Sequence, residues 1–204
     1  MMTRTLLGLT AVAITVLSVS DGAAAPRAKT LDVRVGVTSI EQGKVRAALL
    51  SGAEQGILPG DKGFFMKDGQ KVPGSDFEVQ RIGGRVAWAM TDFSSIEDIH
   101  ARTSLMARVT APARKCTSKG TKVARVVSTE RQGDTAFYFT LDKGTKDGLM
   151  PASALAIKGK SGSIDLQWVS PTGAGGWIRG VSDSDEAAKA LRSVGYESIT
   201  CRVQ

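Results

Sequence analysis

One turn motif occurs twice in this chain, and it constrains the fold more than any other feature. Gly52-Ala53-Glu54-Gln55-Gly56-Ile57-Leu58-Pro59-Gly60 returns as Gly144-Thr145-Lys146-Asp147-Gly148-Leu149-Met150-Pro151-Ala152. Apolar segments precede both copies, Val45-Arg46-Ala47-Ala48-Leu49 and Phe137-Tyr138-Phe139-Thr140-Leu141. A tryptophan follows each, Trp88 and Trp177. Self-similarity on this scale points to duplication of one small structural unit.

The motif reads as structural punctuation. Gly52, Gly56, Gly60, Gly144 and Gly148 supply backbone angles that other residues avoid, while Pro59 and Pro151 fix their own φ. The first copy is expected to lead from a strand over 44–50 into one over 63–67, and the second into one over 153–158. A phosphate cradle is the alternative, but no helix opened by Gly-Lys-Ser/Thr follows at the required distance.

Period-two alternation marks the strands. Leu31, Val33, Val35 and Val37 share one face. Phe77 and Val79 alternate with Glu78 and Gln80, and Val86, Trp88 and Met90 with alanines. In the second half Phe137, Phe139 and Leu141 share a face, as do Ile164, Leu166 and Trp168, and Ile199, Cys201 and Val203. Short strands between glycine-rich turns indicate small barrels or sandwiches. Each half also carries a helix signal before its final strand. Asp183 is an N-cap with Glu186 as capping-box partner; Ala187, Ala190, Leu191 and Val194 form an apolar face, and Gly195 is placed to end the helix. Ser95 and Asp98 open a shorter segment through His100. The expected fold is therefore β-rich α+β: two tandem small barrel- or sandwich-like repeats, each with one short helix. The expected boundaries are 1–24 leader, 25–30 linker, 31–111 first unit, 112–121 linker and 122–204 second unit.

The leader reading rests on Arg4, an apolar run from Leu6 to Val19 and small residues at Gly22-Ala23-Ala24, the pattern of a cleaved export signal. The run is too short to cross a bilayer with ease, so no membrane insertion is expected after cleavage. Removal of 1–24 takes away one base, Arg4, and one acid, Asp21, leaving the formal charge at +7. That charge favours anionic partners, although the basic residues are scattered. The two cysteines, Cys116 and Cys201, form an even pair in an exported chain and so favour a disulfide. It would close roughly 85 residues, worth about 4–5 kcal/mol on the chain-entropy model.

No catalytic constellation emerges. His100 is the single histidine, without a visible partner, and no Gly-x-Ser-x-Gly elbow occurs. Gly159-Lys160-Ser161 imitates the tail of a Walker A loop, but Ala154 stands where its first glycine belongs. Asp183-Ser184-Asp185 starts like a calcium loop without its glycine and is better explained as a helix cap. No cofactor and no metal site is expected. Trp88 and Trp177 fit core packing or stacking on a ligand. Lys62, Lys67 and Lys71, with Lys158 and Lys160 at the corresponding place in the second half, could contact an anionic polymer or simply solubilise hairpin tips.

The Gly-x3-Gly-[Ile/Leu]-x-Pro turn resembles one in the small six-stranded barrels of bacterial envelope scaffolds, such as rod-shape-determining wall proteins and flagellar assembly factors. Trp177 to Val203 also resembles the second strand–helix–strand half of SPOR domains, which bind peptidoglycan. A SPOR domain needs two such halves, and 151–176 read as strands and turns, so its ligand-binding positions do not transfer. These resemblances imply a periplasmic or secreted, non-catalytic envelope protein. It would bind or scaffold an envelope protein or, alternatively, peptidoglycan or another anionic glycan; a hydrolase with an unrecognised site is the third reading. No nucleic-acid partner is expected, and the oligomeric state stays open.

Overall fold

The computed structural model describes residues 28–41, 44–91, 105–157 and 163–204. The first half contributes six strands: β1 Lys29–Glu41, β2 Lys44–Leu49, β3 Lys62–Lys67, β4 Gln70–Ile82, β5 Ala87–Thr91 and β6 Met106–Ala111. They pair in the order β3-β6-β1-β2-β5-β4, and β4 returns to β3. The sheet therefore closes on itself as a six-stranded barrel, which leaves it no free edge. Val33, Val45, Leu49, Phe65, Phe77, Val79, Ile82 and Val109 fill its interior.

The second half contributes β7 Arg114–Arg131, β8 Ala136–Leu141, β9 Leu155–Ala156, β10 Ser163–Val169, β11 Ala174–Arg179 and β12 Ser193–Val203. Its order is β9-β12-β7-β8-β11-β10. Each half thus runs through its strands as third, sixth, first, second, fifth and fourth. In the second half β9 is two residues long, and no β9–β10 pairing occurs among the described residues, so closure is shown for the first half alone. Phe137, Phe139, Leu141, Ile178, Val194 and Tyr196 form this half's core.

The glycine turns take matching conformations. Each opens a 3-10 helix, Ala53–Gln55 and Thr145–Asp147, and ends on a left-handed glycine, Gly56 at φ 88° and Gly148 at φ 89°. Gly52 and Gly144 lie against backbone of the β4–β5 and β10–β11 turns, where a Cβ would strike Gly83 and Gly84 or Ser170 and Pro171. Past each proline, a side chain fixes the exit: Leu58 N–H donates to Asp61 Oδ2, and Met150 N–H to Ser153 Oγ, both at 2.9 Å.

Several expectations need correction. The segment 112–121 is not a linker beyond Arg114, because it forms the first half of β7 and pairs with β12 from Val203 to Glu197. Cys116 and Cys201 face each other in that ladder and form the disulfide. Among the described residues Ser184–Ala190 is the one α-helix; Asp183 caps it by accepting from Glu186 N–H at 2.9 Å. It ends at Leu191, so Gly195 lies inside β12 rather than terminating the helix. The first-half helix signal at Ser95 to His100 lies outside the described residues, as do the leader, Lys158 and Lys160.

Candidate functional site

The first landmark is a pair of β-bulges. In β4, Val79 pairs with Ala89 and Arg81 with Trp88, so Gln80 is the extra residue. In β10, Leu166 pairs with Gly176 and Trp168 with Gly175, so Gln167 is the extra residue. A bulge reverses the side-chain alternation beyond it. Ile82 and Val169 therefore point inward and are fully buried, while Arg81 and Trp168 turn to the outer face. The expected face of Ile164, Leu166 and Trp168 is thus broken: Ile164 and Leu166 pack on the core and Trp168 does not.

Trp88 and Trp177 also lie outside, each half-buried between strand neighbours that fill the interior, Ala87 and Ala89 or Gly176 and Ile178. Core packing is therefore not their role. Nor do they occupy equivalent positions. Leu49–Ala87 and Leu141–Ala174 are corresponding pairs; counted from them, Trp88 matches Gly175, and Trp177 matches Met90.

These residues form one stripe across the outer face. The β4 and β10 strands join at Ile82–Val169, which carries the outer surface from β5 to β8 without interruption. Arg81 lies beside its cross-strand partner Trp88 and over the Trp168 ring, 4.6 Å from the centroid. Trp168 Nε1 donates to Tyr138 Oη at 2.5 Å. Tyr138 meets Trp177 edge-on, centroids 5.1 Å apart and planes at 69°. Arg179 lies 5.8 Å from the Trp177 ring. Small residues make room for the indoles: Trp88 pairs across the strand with Ala48, and Trp168 with Gly175. A Cβ at Gly175 would come within 2.7 Å of Trp168 and would also strike the Tyr138 hydroxyl. The aromatic pair and each stacked arginine are worth about 0.5–1.5 kcal/mol on general grounds, so the stripe is preassembled rather than loose.

The lysines do not form a comparable site. Lys62 stands at the start of β3 opposite Glu78, and Lys67 at its far end, beside the Asp68-Gly69 turn. Lys71 donates to both Asp76 carboxylate oxygens, at 2.7 and 2.9 Å. Two of the three therefore sit beside a carboxylate. Among the described residues no group of three or more histidines, cysteines or carboxylates gathers where it could hold a metal. Tyr138, Trp168, Arg81 and Arg179 were not distinguished as site residues by sequence reasoning. Their signal was a shared break in phase, Phe77-x-Val79-x-x-Ile82 and Ile164-x-Leu166-x-x-Val169. No protein-family model, curated protein or solved structure matches the chain.

Proposed function

We propose that this is an exported, non-catalytic module of the bacterial cell envelope, built from two copies of one six-stranded unit, which docks a protein partner through the outer stripe. The observation that carries this reading is the stripe's composition. Trp, Tyr and Arg are the residues that dominate binding energy at protein interfaces, and here Trp88, Arg81, Trp168, Tyr138 and Trp177 adjoin one another on one surface. Duplication is supported by the shared strand order, turns and bulge positions. Export is supported by the leader-like N-terminus and the Cys116–Cys201 bridge, since disulfides persist in oxidising compartments.

A protein fits this surface better than a wall polymer. Trp168 has Arg81 on its ring and Gly175 beneath it, which leaves little open face for a sugar, and two of the lysines proposed for a polyanion, Lys62 and Lys71, stand beside acids. The test is photocrosslinking in cells with benzoylphenylalanine at position 88 or 177, and at Val123 on β7 as an exposed control. Discrete protein adducts from 88 and 177 but not from 123 are expected. Adducts equal at all three positions, or none at the stripe, would overturn the reading. Co-sedimentation with protein-free sacculi, lost on Trp177→Ala, would transfer the stripe to the wall polymer.

A further inference from the structure

We infer that Arg81 is the specificity-determining residue of the stripe and that it reads a carboxylate on the partner, so that the partner presents an acidic side chain or a C-terminus at the junction of the two units. This rests on the docking reading above.

Five other arginines are committed to carboxylates. Arg108 pairs with Asp32, Arg114 with Asp61, Arg125 with Asp142, Arg131 with Asp134 and Asp185, and Arg85 with Glu54. Arg81 is exposed, and among the described residues no carboxylate pairs with it. Its guanidinium lies over the indole of Trp168. A guanidinium over an aromatic ring has its orientation restricted while its N–H groups stay available at the edge. Those donors match a carboxylate bidentately, and a restrained fork loses less entropy on binding than a free side chain.

Arg179 looks similar but differs in its surroundings. Its neighbour Trp177 pairs across the strand with Asp165, and Tyr138 pairs with Glu130. Arg179's own cross-strand neighbours, Ser163 and Ala136, are neutral, as Trp88 is at Arg81, but an anionic group reaching on from Arg179 to Trp177 and Tyr138 meets the two carboxylates. The partner is thereby oriented, with its carboxylate at Arg81 and neutral or basic groups toward Trp177. The chain's overall charge of +7 draws an acidic partner in at long range.

The test uses randomised peptides displayed on phage, with free and amidated C-termini, selected on the full folded protein. Selected peptides are then measured against the wild type, Arg81→Gln, Arg81→Lys and Trp177→Ala. Both sites are at least partly exposed, and an unchanged thermal midpoint certifies folding. Enrichment of Asp, Glu or a free C-terminus is expected. Binding should be about tenfold weaker in Arg81→Gln, the scale of a lost charge-assisted hydrogen bond, with a measurable loss even in Arg81→Lys, which keeps the charge without the fork. Peptides lacking any carboxylate, or bound equally by Arg81→Gln, would overturn the carboxylate inference. If those peptides still lost binding in Trp177→Ala, the docking reading would survive it. No enrichment, or binding indifferent to all three substitutions, removes both. Arg81-dependent binding to protein-free sacculi instead of peptides would overturn the protein as carrier of the carboxylate.

Discussion

Gly56 and Gly148 hold the same left-handed conformation at the same step of the same turn, yet their surroundings differ. A Cβ at Gly56 would meet nothing within 4 Å, whereas at Gly148 it would strike Ser198 Oγ and lie 3.1 Å from Ile199 O. Gly56→Ala should therefore cost only the left-handed penalty, about 1–2 kcal/mol. Gly148→Ala should cost that plus a packing penalty of about 1–3 kcal/mol. Chemical denaturation of the two variants measures the difference, and equal losses would mean that the second turn is looser than its contacts imply. Tyr196 offers a second test. It is 1% exposed and donates to the Asp147 carbonyl at 3.2 Å. Burial raises its phenol above the ordinary tyrosine value, and the negative charges of Asp147 and Asp142 add to the shift. The neutral phenol is the form favoured in the folded state, so this contribution is whole below the ordinary tyrosine pKa and is lost as pH rises through the raised one. Ultraviolet titration should show one phenol ionising late, and Tyr196→Phe should remove that phase.

The elements were legible wherever alternation ran unbroken. Phe77 and Val79, Phe137 to Leu141, and the capped helix at Asp183 all appear as their patterns imply, because each side chain's fate depends on its immediate neighbours. What the pattern could not give directly was the phase beyond Gln80 and Gln167. A bulge costs one residue of register, and alternation counted straight through it assigns Trp168 to the wrong face. Gly175 shows a related limit: its space for an indole exists only because β10 lies beside β11, a contact between strands rather than along one. The basic, apolar-poor run from Pro112 to Gly120 read as a linker because such a segment has little core to bury. It is strand because β12 pairs with it and the disulfide joins the two. That ladder carries its own prediction. The bridge spans 85 positions, and its removal by Cys116→Ser with Cys201→Ser should cost about 4–5 kcal/mol if unfolded-chain entropy dominates. Thiol labelling of the unfolded, unreduced protein should mark neither residue. A double serine variant with wild-type stability would show that the ladder alone holds β7 and β12 together.

At the scale of the whole molecule, specific contacts join the halves. Ile82 and Val169, corresponding residues of corresponding strands, meet in an antiparallel bridge, as the two halves of a local pseudo-twofold would. Arg114, at the start of β7, reaches back to the first glycine turn. It donates to the Gly56 carbonyl at 3.2 Å and forks onto both oxygens of Asp61, one at 3.1 Å. The Asp61 side chain is only 2% exposed, and it already anchors Leu58 N–H. Ser153 fills the corresponding place in the second half without a charge, so the carboxylate is what the junction adds to the shared turn. Removing Arg114 would strand that carboxylate in a nearly dry site. Loss of one partner of a buried pair costs about 3–5 kcal/mol, whereas replacing both by uncharged groups is often close to neutral. Arg114→Met should therefore destabilise strongly, while Arg114→Met combined with Asp61→Ser, which copies the second turn's own solution, should recover most of the loss. Denaturant melts of the two variants against wild type measure this directly. If the double variant were as weak as the single, the stability of the junction would come from the ion pair itself, and the serine of the second turn would not be an interchangeable part.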